Sequence, residues 1–161
     1  MSLIVIFASF KWHMGMDNQI IDFLEKQSVA SLSCVDENCE PYSFCCFFAF
    51  CRKNNLLCFK SSEKSYHINL LLKNHAVSGT VLPKIVNILK FKGIQMSGVM
   101  LDSNDVLSGD GIVKYHQKFP FALAVPGTVF TIQLNQVKMT ASILGKMQKL
   151  EWSRTESDIE V

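Results

Sequence analysis

Apolar and polar positions alternate from Ser28 to Cys34 in the period of two that marks a half-buried strand. The segment before it has a different rhythm. Ile20, Ile21 and Leu24 share one face of a helix over about Asn18 to Lys26, and Asp17 stands where its carboxylate caps the first amides. Beyond the strand, Asp36-Glu37-Asn38 signals a turn. Glu40-Pro41 then leads into Tyr42 to Phe50, a run of Phe and Cys that predicts a central strand buried on both faces. Arg52-Lys53-Asn54-Asn55 turns the chain again and Leu56 to Lys60 returns, so the three segments predict an antiparallel meander with short loops.

A polar turn, Ser61-Ser62-Glu63-Lys64-Ser65-Tyr66-His67, opens the next helix, which runs to about Lys73 with Ile68, Leu71 and Leu72 inward. Ala76 to Leu82 predicts a strand that Pro83 breaks, and Ile85 to Leu101 one long or bulged strand with bends at Gly93 and Gly98. Asp110 to Phe119 predicts a helix ending before Pro120, and Val129 to Met139 a last long strand. Ile143 to Arg154 adds a short strand or a docking tail. No internal repeat and no low-complexity linker interrupts the order. The expected fold is α+β: a mainly antiparallel barrel of about six strands with a few flanking helices.

With 161 residues, 48% hydrophobic and 19% charged, the chain has enough apolar material for one packed core and too little charge for disorder. The expected domain covers residues 16–161 and follows an extension, 1–15. Ser2 to Phe10 within it is apolar, but it lacks a basic flank and a cleavage site and is too short to cross a bilayer. It reads as an upstream extension or as an added strand. A net charge of +2, with Lys84, Lys90 and Lys92 as a local basic edge, points away from nucleic acid, and nothing in the pattern calls for a membrane. The six cysteines lie between Cys34 and Cys58 without paired metal-ligand spacing, and Cys45 and Cys46 are adjacent, so a strand sends them to opposite faces. Reduced, partly buried thiols of a cytoplasmic protein are expected.

The Ser61–His67 turn carries the candidate chemistry. It puts hydroxyls, an amine and an imidazole beside the free amides of a helix start, where a phosphate binds. His75 and His116 have no metal-ligand spacing. The chain has no Gly-x-Ser-x-Gly elbow, no Gly-x4-Gly-Lys phosphate loop and no GxGxxG, which removes support for serine hydrolase, nucleoside triphosphatase and dinucleotide-fold dehydrogenase readings.

The run Leu57-Cys58-Phe59-Lys60-Ser61, followed by Lys64-Ser65-Tyr66-His67, resembles the split-barrel flavoproteins related to pyridoxamine 5′-phosphate oxidase. In that family a strand ends in a hydroxyl residue. A Ser or Thr and then a basic residue two positions on open the next helix, and together they hold the FMN phosphate. The resemblance implies that Lys60, Ser61, Ser65 and His67 take these places, with Lys64 supplying the charge that Tyr66 does not. It implies that Phe44 and Cys45, in Tyr42-Ser43-Phe44-Cys45-Cys46-Phe47, lie along the flavin ring. The likeness covers Asn18 to Trp152. The long strand ending Gly93-Ile94-Gln95-Met96-Ser97-Gly98, with Lys138-Met139-Thr140, Gly145-Lys146 and Trp152, is similar to an uncharacterised subgroup. That subgroup carries a Thr-Asp-Asn run where this chain has Thr140-Ala141-Ser142.

The implied function is an FMN-binding oxidoreductase of oxidase or flavin-reductase type, with a reduced nicotinamide as donor. The implied assembly is a homodimer with cofactor at the subunit interface, where Lys92, Gln95 and Trp152 reach the partner's flavin. The oxidase's substrate-binding arginines have no counterpart beyond Arg154, so its substrate is not implied. A non-catalytic dimeric module holding flavin or haem is the alternative. Deazaflavin, haem and no cofactor remain beside FMN.

Overall fold

The computed structural model describes residues 15–143 and 145–155. Residues 1–14 of the extension and the last acidic residues lie outside these. Seven strands form one antiparallel sheet: β1 (Val29–Val35), β2 (Pro41–Cys51), β3 (Leu56–Ser61), β4 (Ala76–Val81), β5 (Lys92–Met100), β6 (Thr128–Ile143) and β7 (Lys146–Ser153). The order is β3-β2-β1-β4-β5-β6-β7, and an added β3–β6 pairing closes the first six into a barrel. Three helices accompany it: α1 (Asn18–Lys26), α2 (Tyr66–Lys73) and α3 (Val106–Lys118). The expected α+β six-stranded split barrel is what the chain forms.

Local chemistry explains the elements. The Asp17 side chain accepts from the Gln19 amide and starts α1, whose Ile20 and Leu24 are fully buried against the barrel. Burial of each such side chain contributes about 1.5–3 kcal/mol. Asp36 Oδ1 accepts from the Asn38 and Glu40 amides and shapes the β1–β2 turn, in which Cys39 takes a left-handed conformation (φ 63°). Asn55, at φ 51°, ends the β2–β3 turn in the region that Asn tolerates. β6 is long enough to pair with β3, β5 and β7 in turn. Opposite it, the register of β5 shifts between Ser97 and Gly98. A Cβ on Gly98 would lie 2.2 Å from the Gln133 carbonyl oxygen, so this close approach needs glycine.

Both faces of the sheet are covered where β2 meets β3. Phe48, Phe50, Leu57 and Phe59 point into the barrel, and Ala49, Cys51, Leu56 and Cys58 pack under Tyr115 and Phe119 beside α3. That double burial is why these strands read as continuous apolar runs.

Several sequence expectations need correction. Tyr42 to Phe50 is not buried throughout: Phe47 is 57% exposed and the strand is open from Pro41 to Cys45 apart from a half-buried Phe44. Ile85 to Leu101 is not one strand. Residues 82–91 form a loop with a 3-10 turn, Ile88–Lys90, because Asn87 caps the Leu89 amide and Pro83 offers none, and β5 begins at Lys92. In α2, Leu70 is buried and Leu72 faces outward. α3 starts at Val106, four residues before the expected Asp110, because Asp105 caps the Leu107 amide.

Candidate functional site

β3 ends at Ser61, which pairs with Thr128 as the last rung of the barrel closure. The chain then turns through residues 62–65 into α2. Glu63 holds the turn against β6 by accepting from the Thr128 hydroxyl at 2.7 Å. Ser65 is the N-cap residue of α2, but its side chain caps no amide. It lies instead 3.1 Å from Ser61 Oγ, which is also 2.8 Å from His67 Nε2. Two hydroxyls and an imidazole therefore converge at a helix start whose first amides lack intrahelical partners.

The imidazole is held from the other side by Phe44. The two rings stack with centroids 3.9 Å apart and 12° between planes, and Phe44 in turn packs on Phe59 at 5.7 Å. Burial pushes the His67 pKa below the usual imidazole value, since the charged form loses hydration and gains no carboxylate. Tyr66 meets Tyr42 edge-on at 5.0 Å and forms an aromatic rim beside the cluster. Lys73 closes the far end of α2 with a 2.7 Å ion pair to Glu37 in the β1–β2 turn.

The structure brings together Phe44, Ser61, Ser65 and His67 and sorts the other sequence candidates elsewhere. Cys45 is exposed on the opposite face of β2 from Phe44. There it lines a shallow pocket of about 450 Å³ with Ser31, Thr80 and Lys84. The Lys60 side chain leaves the cluster, and its Nζ donates to the Ala122 and Val125 carbonyls at 2.6 Å each, tying down the 3-10 helix Pro120–Ala124. Lys64 is exposed. Lys92 and Gln95 lie on β5, where Gln95 pairs with Thr80 and Lys138 and shares a groove of about 370 Å³ with Trp152 and Glu151. Arg154 serves the fold: its guanidinium donates to the Leu134 and Asn54 carbonyls and lies 5.4 Å from the Trp152 ring centre.

Sequence reasoning missed two features. One is the ring stack of Phe44 on His67, which only tertiary closure produces. The other is a cavity of about 290 Å³ between α2, α3 and β6, lined by Ile68, Leu72, Ile112 and Phe130 with Glu63 and Thr128 at its polar side. No sequence signal marks it, because Leu72, expected inward, is one of the exposed residues that line it.

The six cysteines are free thiols. Burial pushes the Cys46 and Cys58 thiols up to about 12, so both stay protonated. Among the described residues no cluster of three or more His, Cys, Asp or Glu is placed to hold a metal, and no helix is long and apolar enough to cross a membrane.

The closed six-stranded barrel has the split-barrel fold found in a pyridoxamine 5′-phosphate oxidase-related, FMN-binding protein. Solved structures share it at low identity. A haem-binding protein of Mycobacterium smegmatis superposes with a TM-score of 0.65 at 11% identity, over 80% of this chain and 54% of that longer one. An FAD-binding protein of Mesorhizobium loti gives 0.63 at 18%, over 78% and 94%. A pyridoxamine 5′-phosphate oxidase-related, FMN-binding protein of Nostoc punctiforme gives 0.62 at 13%, over 88% and 91%. These likenesses are of fold. No family model matches the chain. By sequence it belongs to the UPF0306 family, being 33% identical over 141 residues to the UPF0306 protein of Serratia proteamaculans, which covers 85% of this chain and 94% of that one.

Proposed function

We propose that this chain binds FMN as an oxidoreductase of oxidase or flavin-reductase type, and that it works as a homodimer with cofactor at the subunit interface. The observation that carries the reading is the convergence of Ser61, Ser65 and His67 on the free amides at the start of α2, in a fold whose solved examples include FMN- and FAD-binding proteins. Ser61 and Ser65 donate to phosphate oxygens, and the α2 amides add the positive end of the helix. The main chain along Phe44 and Cys45 borders the ring. The cofactor, when bound, supplies hydride or electron transfer at its N5, and this chain's residues bind it, orient it and keep water from it. The electron donor in this reading is a reduced nicotinamide.

An uncovered apolar patch supports the homodimer. Phe47 is 57% exposed, pairs with the half-exposed Val29 and touches Phe119, which touches the exposed Phe121. A patch of this kind marks a surface meant to be covered. Lys92 and Gln95, exposed on β5, are the residues proposed to reach the partner's cofactor, whereas Trp152 is buried in the core and is withdrawn from that role.

Haem is the second reading, since the fold also includes haem-binding proteins and His67 presents a largely neutral imidazole. One experiment separates the two. The purified protein is mixed with FMN, with FAD and with haemin, passed through a sizing column, and its absorption spectrum recorded with light scattering. Flavin bands travelling with a dimer, bleached by a reduced nicotinamide and restored by air, are expected. A Soret band with no retained flavin overturns the flavin reading, and a monomer overturns the shared-interface reading.

A further inference from the structure

We propose that His67 is a proton-dependent phosphate ligand, so that this chain takes up a proton when it binds FMN and holds the cofactor more tightly as pH falls through neutrality. The inference rests on the FMN reading and adds to it what governs affinity.

Its basis is where the charges of the site go. Among the described residues, each cation on the elements packed around His67 is committed elsewhere or open to water. On β3, Lys60 is spent on the Ala122 and Val125 carbonyls. In the turn, Lys64 is exposed, and Glu63 is held by Thr128. On α2, Tyr66 turns to Tyr42, and Lys73 is paired with Glu37. On β2, Phe44 covers the imidazole face, and the Cys46 thiol is neutral. The imidazole itself touches a hydroxyl and a phenyl ring. A phosphate dianion arriving at Ser61 and Ser65 therefore meets hydroxyls, amides, the fixed charge of the exposed Lys64 and, in His67, the one group whose charge changes near neutrality.

The sign follows from linkage. In the free protein burial keeps His67 neutral over most of the physiological range. An anion at hydrogen-bond distance favours the imidazolium and raises its pKa. Between the free and bound pKa values, binding takes up a proton, and affinity gains up to about tenfold for each unit of acidification. Above the bound pKa the gain disappears. A lysine or arginine at this position carries its charge at every relevant pH and produces no such dependence.

The test is FMN titration calorimetry from pH 6.5 to 8.5, a range in which the free phosphate, with its second pKa of about 6, stays mainly dianionic. Each titration is repeated in two buffers of different ionisation heat, which counts the protons taken up by the native protein without any variant. Proton uptake near neutrality, with affinity roughly tenfold weaker at the alkaline end, is expected. Riboflavin, which lacks the phosphate, gives a flat profile. So do His67→Lys, which stays tight, and His67→Gln, which stays weak. FMN binding with no proton uptake and a flat native profile overturns the linkage while leaving the FMN reading intact. No FMN binding at any pH overturns the FMN reading and the linkage with it.

Discussion

Two glycines of α3 should respond in opposite directions to the same substitution. Gly109 and Gly111 sit in one helix, and neither has a positive φ, so alanine fits the backbone at both. At Gly109, which is exposed, an added Cβ meets nothing within 4 Å. The substitution then delivers the helix-propensity gain alone, about 0.5–1 kcal/mol. At Gly111 the new Cβ lies 2.3 Å from Thr131 Oγ1 and 2.8 Å from Cys58 Sγ. Both neighbours sit on paired strands, Thr131 is 2% exposed and Cys58 is fully buried, so neither has room to retreat. Overpacking of that kind costs about 1–3 kcal/mol, which outweighs the propensity gain. Gly109→Ala should therefore raise the melting temperature by about 1–4 °C, and Gly111→Ala should lower it, by up to about 8 °C. Urea unfolding at unchanged m-value is the assay. If both variants gain stability equally, α3 does not press against β3 and β6 as described, and its Ser108/Gly111/Tyr115 face is not the packing face.

Other outcomes follow from the same geometry. Lys60→Met should destabilise the protein by roughly 1.5–3 kcal/mol through the loss of two charge-assisted bonds, yet leave FMN affinity within about threefold; a far larger loss of affinity would return Lys60 to the cofactor site. In native protein at pH 8, a thiol reagent should label the exposed Cys39 and Cys45 and spare Cys46 and Cys58 until unfolding; rapid labelling of all six would refute their burial. Because the folded pKa of His67 is lowered, the unfolded chain binds more protons below about pH 6.5, so cofactor-free stability should fall as pH drops through that point towards the folded value. His67→Phe should flatten that slope in a urea series, and an unchanged slope would assign it to another group.

Much of the fold was legible because its signals are local. Asp17 before Ile20, Ile21 and Leu24 announces α1, and the turn residues at Asp36 and at Asn54-Asn55 bracket the meander. Gly98 marked the irregularity in β5. The misreadings arise where apolar sequence serves something other than this chain's own core. Tyr42 to Phe47 looks like the rest of β2, yet period-two alternation cannot say whether a face meets a core or remains open. Ile85, Val86 and Leu89 have the composition of a strand, but Pro83 and the Asn87 cap turn them into an exposed loop. The start of α3 was hidden because Gly109 and Gly111 weaken its helical signature. At the candidate site, Ser61, Ser65 and His67 were singled out by the family resemblance and do lie together, whereas the diversion of Lys60 to Ala122 and Val125 depends on a contact 62 and 65 residues away in sequence.

Barrel closure has a kinetic consequence for that site. β3 and β6 pair residues far apart in sequence, such as Cys58 and Thr131, separated by 73 positions, and the rung at the end of that ladder is Ser61 with Thr128. Joining such distant segments costs loop entropy before any contact repays it, so this ladder belongs among the late, slow events of folding. Glu63 crosses to the same Thr128 and cannot fix the turn until the ladder has zipped. The turn that carries the hydroxyl cluster is therefore braced against β6 in closed barrels and not in open ones. A bound cofactor would act as a clasp on the last seam to form, slowing unfolding where the ring is easiest to reopen.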